Sequence, residues 1–431
     1  MTAINMSGGP SPKASFSLQK TLPSLAFLGL GIAMMAFVVF AAASSYLAYR
    51  HSGTLDEKNL EAAVVLEGRN AAHHNRLGRY LFFSSQDAPR ALQHYQRAVE
   101  LNPYEARYWL DMAVAWRGLG RTADEKTSVR GALIHDPRTP DVIWEAANFD
   151  LTRGDTTTAL RAFKTVIEND PTLAARALVL SLQASPDIQS ILDNALPATA
   201  EAHLQLLQLL MARNEAASAA RVWEDLVALK TPLPDTESLH FVDFFLAREK
   251  AGDARRIWQQ IIERSPGMSA YQTSSDNLVV NPGFEQDILN GGFDWRYAAA
   301  PEITVTVDQA SGHTGQRSLL LTYLGSREDS GWLQYIPVKP GAHYKLSGFT
   351  KAESLRSASL PRIAVTDDAN KLTLWLSGEV SDSSAWQEVR GNFVAGPATA
   401  LVTLRIVRRP AEPVVRGRLW LDDFRIAEVL H

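Results

Sequence analysis

The side chains that could do chemistry in this 431-residue chain are few and scattered. His73 and His74 are neighbours on a helical stretch, with no carboxylate or third histidine at ligand spacing, so they read as a solvated helix face rather than a metal centre. Asp367-Asp368 and Asp422-Asp423 are adjacent pairs. Neighbours on an extended chain point to opposite faces, so neither pair supplies the two carboxylates facing across a cleft that glycoside hydrolysis needs. No glycine-rich loop of a phosphate-binding type is present. The chain has no cysteine, which excludes disulfides, thiolate metal sites and a cysteine nucleophile. Arg405, Arg408, Arg409, Arg416 and Arg418 gather around one predicted hairpin and read as its solvated rim. The sharper alternative is contact with an acidic polysaccharide or anionic headgroups, because guanidinium pairs well with carboxylate and phosphate. No catalytic constellation emerges, and a non-enzymatic protein is expected.

The elements that would carry these residues fall into two patterns. Pro103, Pro137 and Pro171 are spaced 34 residues apart. Before each comes a bulky apolar residue (Tyr95, Val129, Phe163) and then a small or apolar one (Ala98, Ala132, Val166). A fixed period in this range predicts stacked helix pairs, which bury a continuous core between neighbours and leave a long surface for partners. The pattern returns as Ala219, Trp223, Leu226 and Pro232, then as Ala254, Trp258, Ile261 and Pro266. About six pairs are expected, one of them, near 173–196, shortened. Thr139 and Asp253 are expected as N-caps of their helices. These residues, with Trp109, Ala113, Trp116, Gly120, Gly154 and Ala159, resemble the tetratricopeptide repeat. Two positions depart from it: Glu125 stands where a small residue is usual, and Asp150 where an aromatic is usual. The resemblance implies a protein partner held in the repeat groove.

Ahead of the repeats, Thr21 to Tyr49 is a run of 29 residues without a charge, longer than the roughly 20 that a helix needs to cross a bilayer. Lys13 and Lys20 precede it, which favours a cytoplasmic N-terminus. An uncleaved anchor is expected over a signal peptide, whose apolar core usually runs to only about 7–15 residues. Residues 50–267 carry 25 Lys and Arg against 29 Asp and Glu, and residues 268–431 carry 16 against 18. Neither part is basic, so a nucleic-acid partner is not expected.

Beyond Ser265 the helical period stops. Short alternating runs follow, at Ile303–Val307, Ser318–Leu324, Trp332–Val338, His343–Thr350, Leu372–Leu376, Leu401–Val407 and Leu419–Ile426, as in an antiparallel sandwich. The opening NLVVNPGFE of residues 277–285 is followed by Trp295 and by SGHTGQRSL at 311–319. Then come VKPGAHYKLS at 338–347, Trp386, and LWLDDF at 419–424. In this order they resemble carbohydrate-binding modules of the family 4/9 type, which are jelly rolls. The resemblance implies a structural calcium held by Glu285 and Asp422 with backbone oxygens of loop 311–316. The alternative is a metal-free loop in which these carboxylates accept backbone N–H bonds. It also implies a glycan surface on the concave face. Sugars present apolar CH faces and hydroxyl rims, so flat aromatics and hydrogen-bonding side chains suit them. Leu372, Leu374 and Leu376 share the core parity, so Trp375 is expected to face the ligand, flanked by Trp332, Gln334 and Arg405.

The expected organisation is a cytoplasmic tail (1–21), a transmembrane anchor (22–49), an all-α tetratricopeptide-like solenoid (58–267), a linker (268–276) and an all-β jelly-roll sandwich (277–431). The expected role is that of a scaffold anchored in the cytoplasmic membrane, its bulk on the periplasmic side. Its repeats would bind protein and its sandwich glycan, in cell-envelope or exopolysaccharide assembly. The alternative is a protein-only scaffold whose sandwich packs without sugar affinity.

Overall fold

The computed structural model describes residues 18–54, 56–233 and 235–429. Most of the expected cytoplasmic tail lies outside the described residues. The chain divides into two compact units, residues 1–196 and 197–431.

The first unit opens with α1 (Leu18–Ser52) and α2 (Glu57–Leu66). Three regular pairs follow: α3 (Ala71–Phe83) with α4 (Ala88–Leu101), α5 (Ala106–Gly118) with α6 (Thr122–His135), and α7 (Pro140–Thr152) with α8 (Thr156–Asn169). The expected short pair is α9 (Ala174–Ala184) and α10 (Ile188–Asn194). The pairs pack large on small. A Cβ on Gly78 would lie 2.8 Å from the Tyr95 ring, and one on Gly131 would lie 2.4 Å from Trp109, so only glycine lets those helices approach. Tyr95 and Phe163 are fully buried, whereas Trp116 is half-exposed with Arg121 over its ring. Thr139 holds the N-cap position of α7, as expected, although its side chain makes no cap bond; its own N–H donates to Asp136.

Both departures from the repeat pattern have a structural role. Glu125 is buried and takes Arg117 at 3.2 Å and Arg153 at 2.8 Å, and Arg153 also pairs with Asp150. An ionic chain thus links α5, α6 and α7 where small and aromatic side chains would otherwise meet. Charges buried this way persist only when paired and hydrogen-bonded.

The second unit begins with two more pairs, α11 (Ala200–Ala212) with α12 (Ala216–Ala228), and α13 (Asp235–Leu246) with α14 (Ala251–Arg264). Trp223 and Trp258 are core residues, as expected. Asp253 does not cap α14: Lys250 holds that position, and Asp253 sits in the first turn. Nor is the segment after α14 a loose linker. Pro266–Tyr271 forms a 3-10 turn that buries Met268 and Tyr271, and the Tyr271 hydroxyl donates to the Asp287 carbonyl at 2.7 Å.

Among the described residues ten strands make the sandwich: β1 (Arg296–Tyr297), β2 (Ile303–Asp308), β3 (Ser318–Tyr323), β4 (Asp329–Pro337), β5 (His343–Arg356), β6 (Arg362–Asp367), β7 (Leu372–Leu376), β8 (Gln387–Val394), β9 (Leu401–Val407) and β10 (Arg416–Glu428). They form two five-stranded sheets, β1-β4-β9-β6-β7 and β2-β3-β10-β5-β8, and the pairings are antiparallel. Strands β1, β6 and β8 were not foreseen. The sheets enclose one core, in which Trp295 stacks on Trp332 with ring centroids 4.2 Å apart, and Phe284 and Phe424 pack around them. The opening motif is a clasp on this core. The Trp295 indole donates to the Asn281 carbonyl at 2.9 Å, and the Asn277 amide donates to the Phe424 carbonyl at 3.0 Å.

The sandwich is fastened to the last helix pair. Loop residue Gly292 lies against Trp258, where a Cβ would stand 2.3 Å from the ring, and its φ is +59°. Phe293 meets Trp258 edge to face. Asp243 of α13 accepts the Gly292 N–H at 2.8 Å and pairs with Arg296.

Candidate functional site

On β9, Val402, Leu404 and Ile406 point into the sandwich, so Thr403, Arg405 and Val407 face the other side. On β6, Ile363 and Val365 point in, leaving Ala364 and Thr366 outward. Over this outward face lies a groove of about 680 Å³, lined by Arg405, Asp329, Asp368, Thr366, Leu372 and Leu376 among others. Arg405 is held by two of the lining carboxylates. Its guanidinium pairs with Asp329 at 3.0 Å and with Asp368, and its Nε has no partner. Asp368 also accepts the hydroxyls of Thr366 and Thr403, each at 2.8 Å. The groove therefore offers fixed charged donors and acceptors beside two exposed leucines, a set that can meet hydroxyls and a CH face together.

Of the four residues expected at the glycan surface, only Arg405 lies in this groove. Trp332 and Gln334 are fully buried, because β4 turns that parity inward. Trp332 belongs to the aromatic core, and Gln334 bridges to the opening segment, accepting the Val280 N–H at 3.1 Å and donating to its carbonyl at 2.9 Å. Trp375 is also corrected. Trp375 pairs with Val365 and Thr373 with Thr366, so Leu374 is an extra residue between them. Such a bulge shifts the alternation by one. Trp375 consequently turns inward against the core and covers Gly391 of the facing sheet, where a Cβ would lie 2.2 Å from its ring. Leu372 and Leu376 are left exposed instead. Asp329, Asp368 and the two leucines were missed as site residues. The one available signal was a carboxylate pair in the turn between two strands.

The arginine cluster is likewise redistributed. β9 and β10 belong to different sheets, so no hairpin joins them. Arg408 is buried and donates to the Ser359 carbonyl at 3.1 Å and to the Pro413 carbonyl; burial pushes its pKa below the usual arginine value. Arg409 pairs with Glu328, and Arg418 with Glu353.

Glu285 and Asp422 both reach loop 311–316 and its flank, as the resemblance implied. Glu285 Oε1 accepts the N–H of Gln316 at 2.8 Å and of Arg317 at 3.0 Å. Asp422 accepts the N–H groups of His313 at 2.6 Å and Asp423 at 2.8 Å. The His313 ring and the Thr314 hydroxyl go to Asp423. What meets these oxygens is N–H, whereas calcium wants six to eight oxygen ligands. No group of three or more His, Cys, Asp or Glu side chains that could hold a metal occurs among the described residues, and the contacts present are those of the N–H-capped alternative. Burial pushes the Asp422 carboxyl up to about 6. The same cause raises Asp294, also fully buried, to about 7.

Residues 276–412 match the carbohydrate binding domain family. Among solved structures, the chain is similar to a CBM4 module (15% identity over 35% of this chain and 99% of that one, TM-score 0.28). It is also similar to the CBM22-1 xylan-binding domain of Paenibacillus barcinonensis Xyn10C (18% identity, 37% of this chain and 99% of that one, TM-score 0.27). A third similar structure is YrrB, a TPR protein with an unusual peptide-binding site (13% identity, 49% of this chain and 94% of that one, TM-score 0.25). No curated protein matches the chain. Among the described residues one helix, Gly29–Ser52, is long and apolar enough to cross a membrane.

Proposed function

We propose that the chain is a non-enzymatic scaffold, anchored in the cytoplasmic membrane by α1 with its bulk on the periplasmic side. Its helical pairs take a protein partner, and its sandwich takes a glycan on the outer face of the β1-β4-β9-β6-β7 sheet. Envelope or exopolysaccharide assembly is the setting that combines these three attachments. The family match of residues 276–412 supports the sugar. The observation that carries the site is Arg405 fixed between Asp329 and Asp368 in the lining of the groove.

The test is a polysaccharide array with residues 50–431. Arg405→Gln and Leu372→Asn are each expected to weaken binding about tenfold or more, equivalent to ~1.4 kcal/mol. Leu372 is 52% exposed, so its replacement should leave stability within about 0.5 kcal/mol. Binding that survives both changes would take the glycan off this face. A second reading, the protein-only scaffold, is favoured by one observation: no aromatic ring lines the groove. It predicts no binding to any polysaccharide on the array.

The calcium implied for Glu285 and Asp422 enters only as a rival occupant of their loop. A ligand bound only by the folded state raises stability with its concentration. On the N–H-capped geometry, residues 50–431 should melt at the same temperature in calcium and in chelator. A calcium-dependent rise that Glu285→Gln removes would establish the metal instead.

A further inference from the structure

We propose that the turn between α2 and α3 is a second membrane contact, which seats Val65 and Leu66 in the lipid at the edge of the hydrocarbon beside α1. The inference rests on α1 being an anchor and adds a surface to it. Counted from Leu25, the roughly 20 residues that span a bilayer end close to Ser45. Tyr46 and Tyr49 follow and are exposed, where aromatic residues suit the interface. α2 folds back along the end of α1, because the Ser45 hydroxyl donates to Glu67 just past the last residue of α2. At the other end, Arg76 of α3 donates to the Ser52 hydroxyl at 2.9 Å. From Ser45 to Ser52 the helix rises about 10 Å, so these two bonds fix the heights of both ends of the turn. Val65 and Leu66 therefore lie at the level of Ser45.

Their surroundings suit lipid. Val65 is 83% and Leu66 40% exposed, so the described chain leaves most of Val65 bare and covers Leu66 only in part. The Glu67 and Asn70 side chains of the turn and the Gly68 carbonyl are bonded from within. Glu67 accepts the Asn70 amide and bonds His73 Nε2, each at 3.0 Å, besides Ser45. The Asn70 N–H donates to the Glu67 carbonyl at 2.9 Å, and His74 Nε2 bonds the Gly68 carbonyl at 3.1 Å. These bonds hold the Glu67 pKa below the usual glutamate range, the Ser45 hydroxyl contributing most. A turn with capped polar groups and bare aliphatic side chains loses little on leaving water. Arg69 is exposed on the same turn and can reach up to phosphate headgroups.

The chain has no cysteine, so single cysteines can be labelled cleanly in the full-length protein. Val65→Cys, Tyr49→Cys, Phe37→Cys and Tyr104→Cys, each carrying an environment-sensitive fluorophore, would be reconstituted into phosphatidylethanolamine–phosphatidylglycerol vesicles. They would then be exposed to shallow spin-labelled lipid or to aqueous iodide. The label at Val65 is expected to be quenched by the lipid within about twofold of the label at Tyr49, as for an interfacial element, and the label at Tyr104 only by iodide. A Val65 label quenched by iodide alone, or by neither agent because a protein covers it, overturns the proposal while Phe37 stays lipid-quenched. A Phe37 label without lipid quenching overturns the anchor itself, and this proposal with it.

Discussion

Replacing Trp332 with alanine is expected to lower the stability of the sandwich by about 3–5 kcal/mol, the usual cost of truncating a large buried aromatic. Its ring is fully buried, stacked on Trp295 and in contact with Phe284 and Phe424. It therefore holds together strands from both sheets and the opening segment. Trp375→Ala should also destabilise, by a smaller amount, since that ring is only partly buried over Gly391. Urea unfolding of residues 50–431 measures both. Wild-type stability in Trp332→Ala, accompanied by lost glycan binding, would return Trp332 to the surface role that its strand was expected to give it.

The second large effect is expected where the sandwich meets α14. Trp258→Ala removes a buried indole and should cost about 3–5 kcal/mol. Gly292→Ala approaches the same contact from the other side. Its φ of +59° strains any other residue, and its Cβ would stand 2.3 Å from the Trp258 ring. Strain and overpacking together should cost about 2–4 kcal/mol. Hydrogen exchange should show lost protection in α13, α14 and loop 286–296 for both variants, because Asp243 and Trp258 join them. Loss confined to the helices would mean that the sandwich stands alone and that the Pro266–Tyr271 turn acts as a tether.

The repeat architecture was legible because its signal is periodic. Proline, bulky and small positions recur in step with the helix pairs, and the spacing error near 173–196 is the shortened α9–α10 pair. The ionic chain through Glu125, Arg117, Arg153 and Asp150 was visible only as two odd residues, since its partners come from different helices. In the sandwich, the seven foreseen strands alternate or carry motif words. β8 was overlooked because polar residues and Gly391 interrupt its apolar positions, although its burial alternates from Val389 to Val394, and β6 because three of its residues in succession are buried. The glycan face failed on parity. The argument for Trp375 assumed an unbroken alternation along β7, and a single extra residue at Leu374 reverses it. No local pattern announces that bulge; it depends on register with β6. Arg405 keeps the outward parity expected of it because β9 runs without interruption.

The end of α1 is not a free stalk. Ala48 and Ser52 are buried, and the helix is continuous from the apolar segment to that packed end. A joint of this kind transmits torque. With α1 as the anchor proposed above, a pull on the first helix pairs would tilt the apolar segment in the bilayer rather than swing about a hinge, and the membrane plane would set the orientation of those pairs. A partner approaching them would meet a surface presented at a fixed angle, which saves the rotational entropy that a flexible stalk would lose on docking.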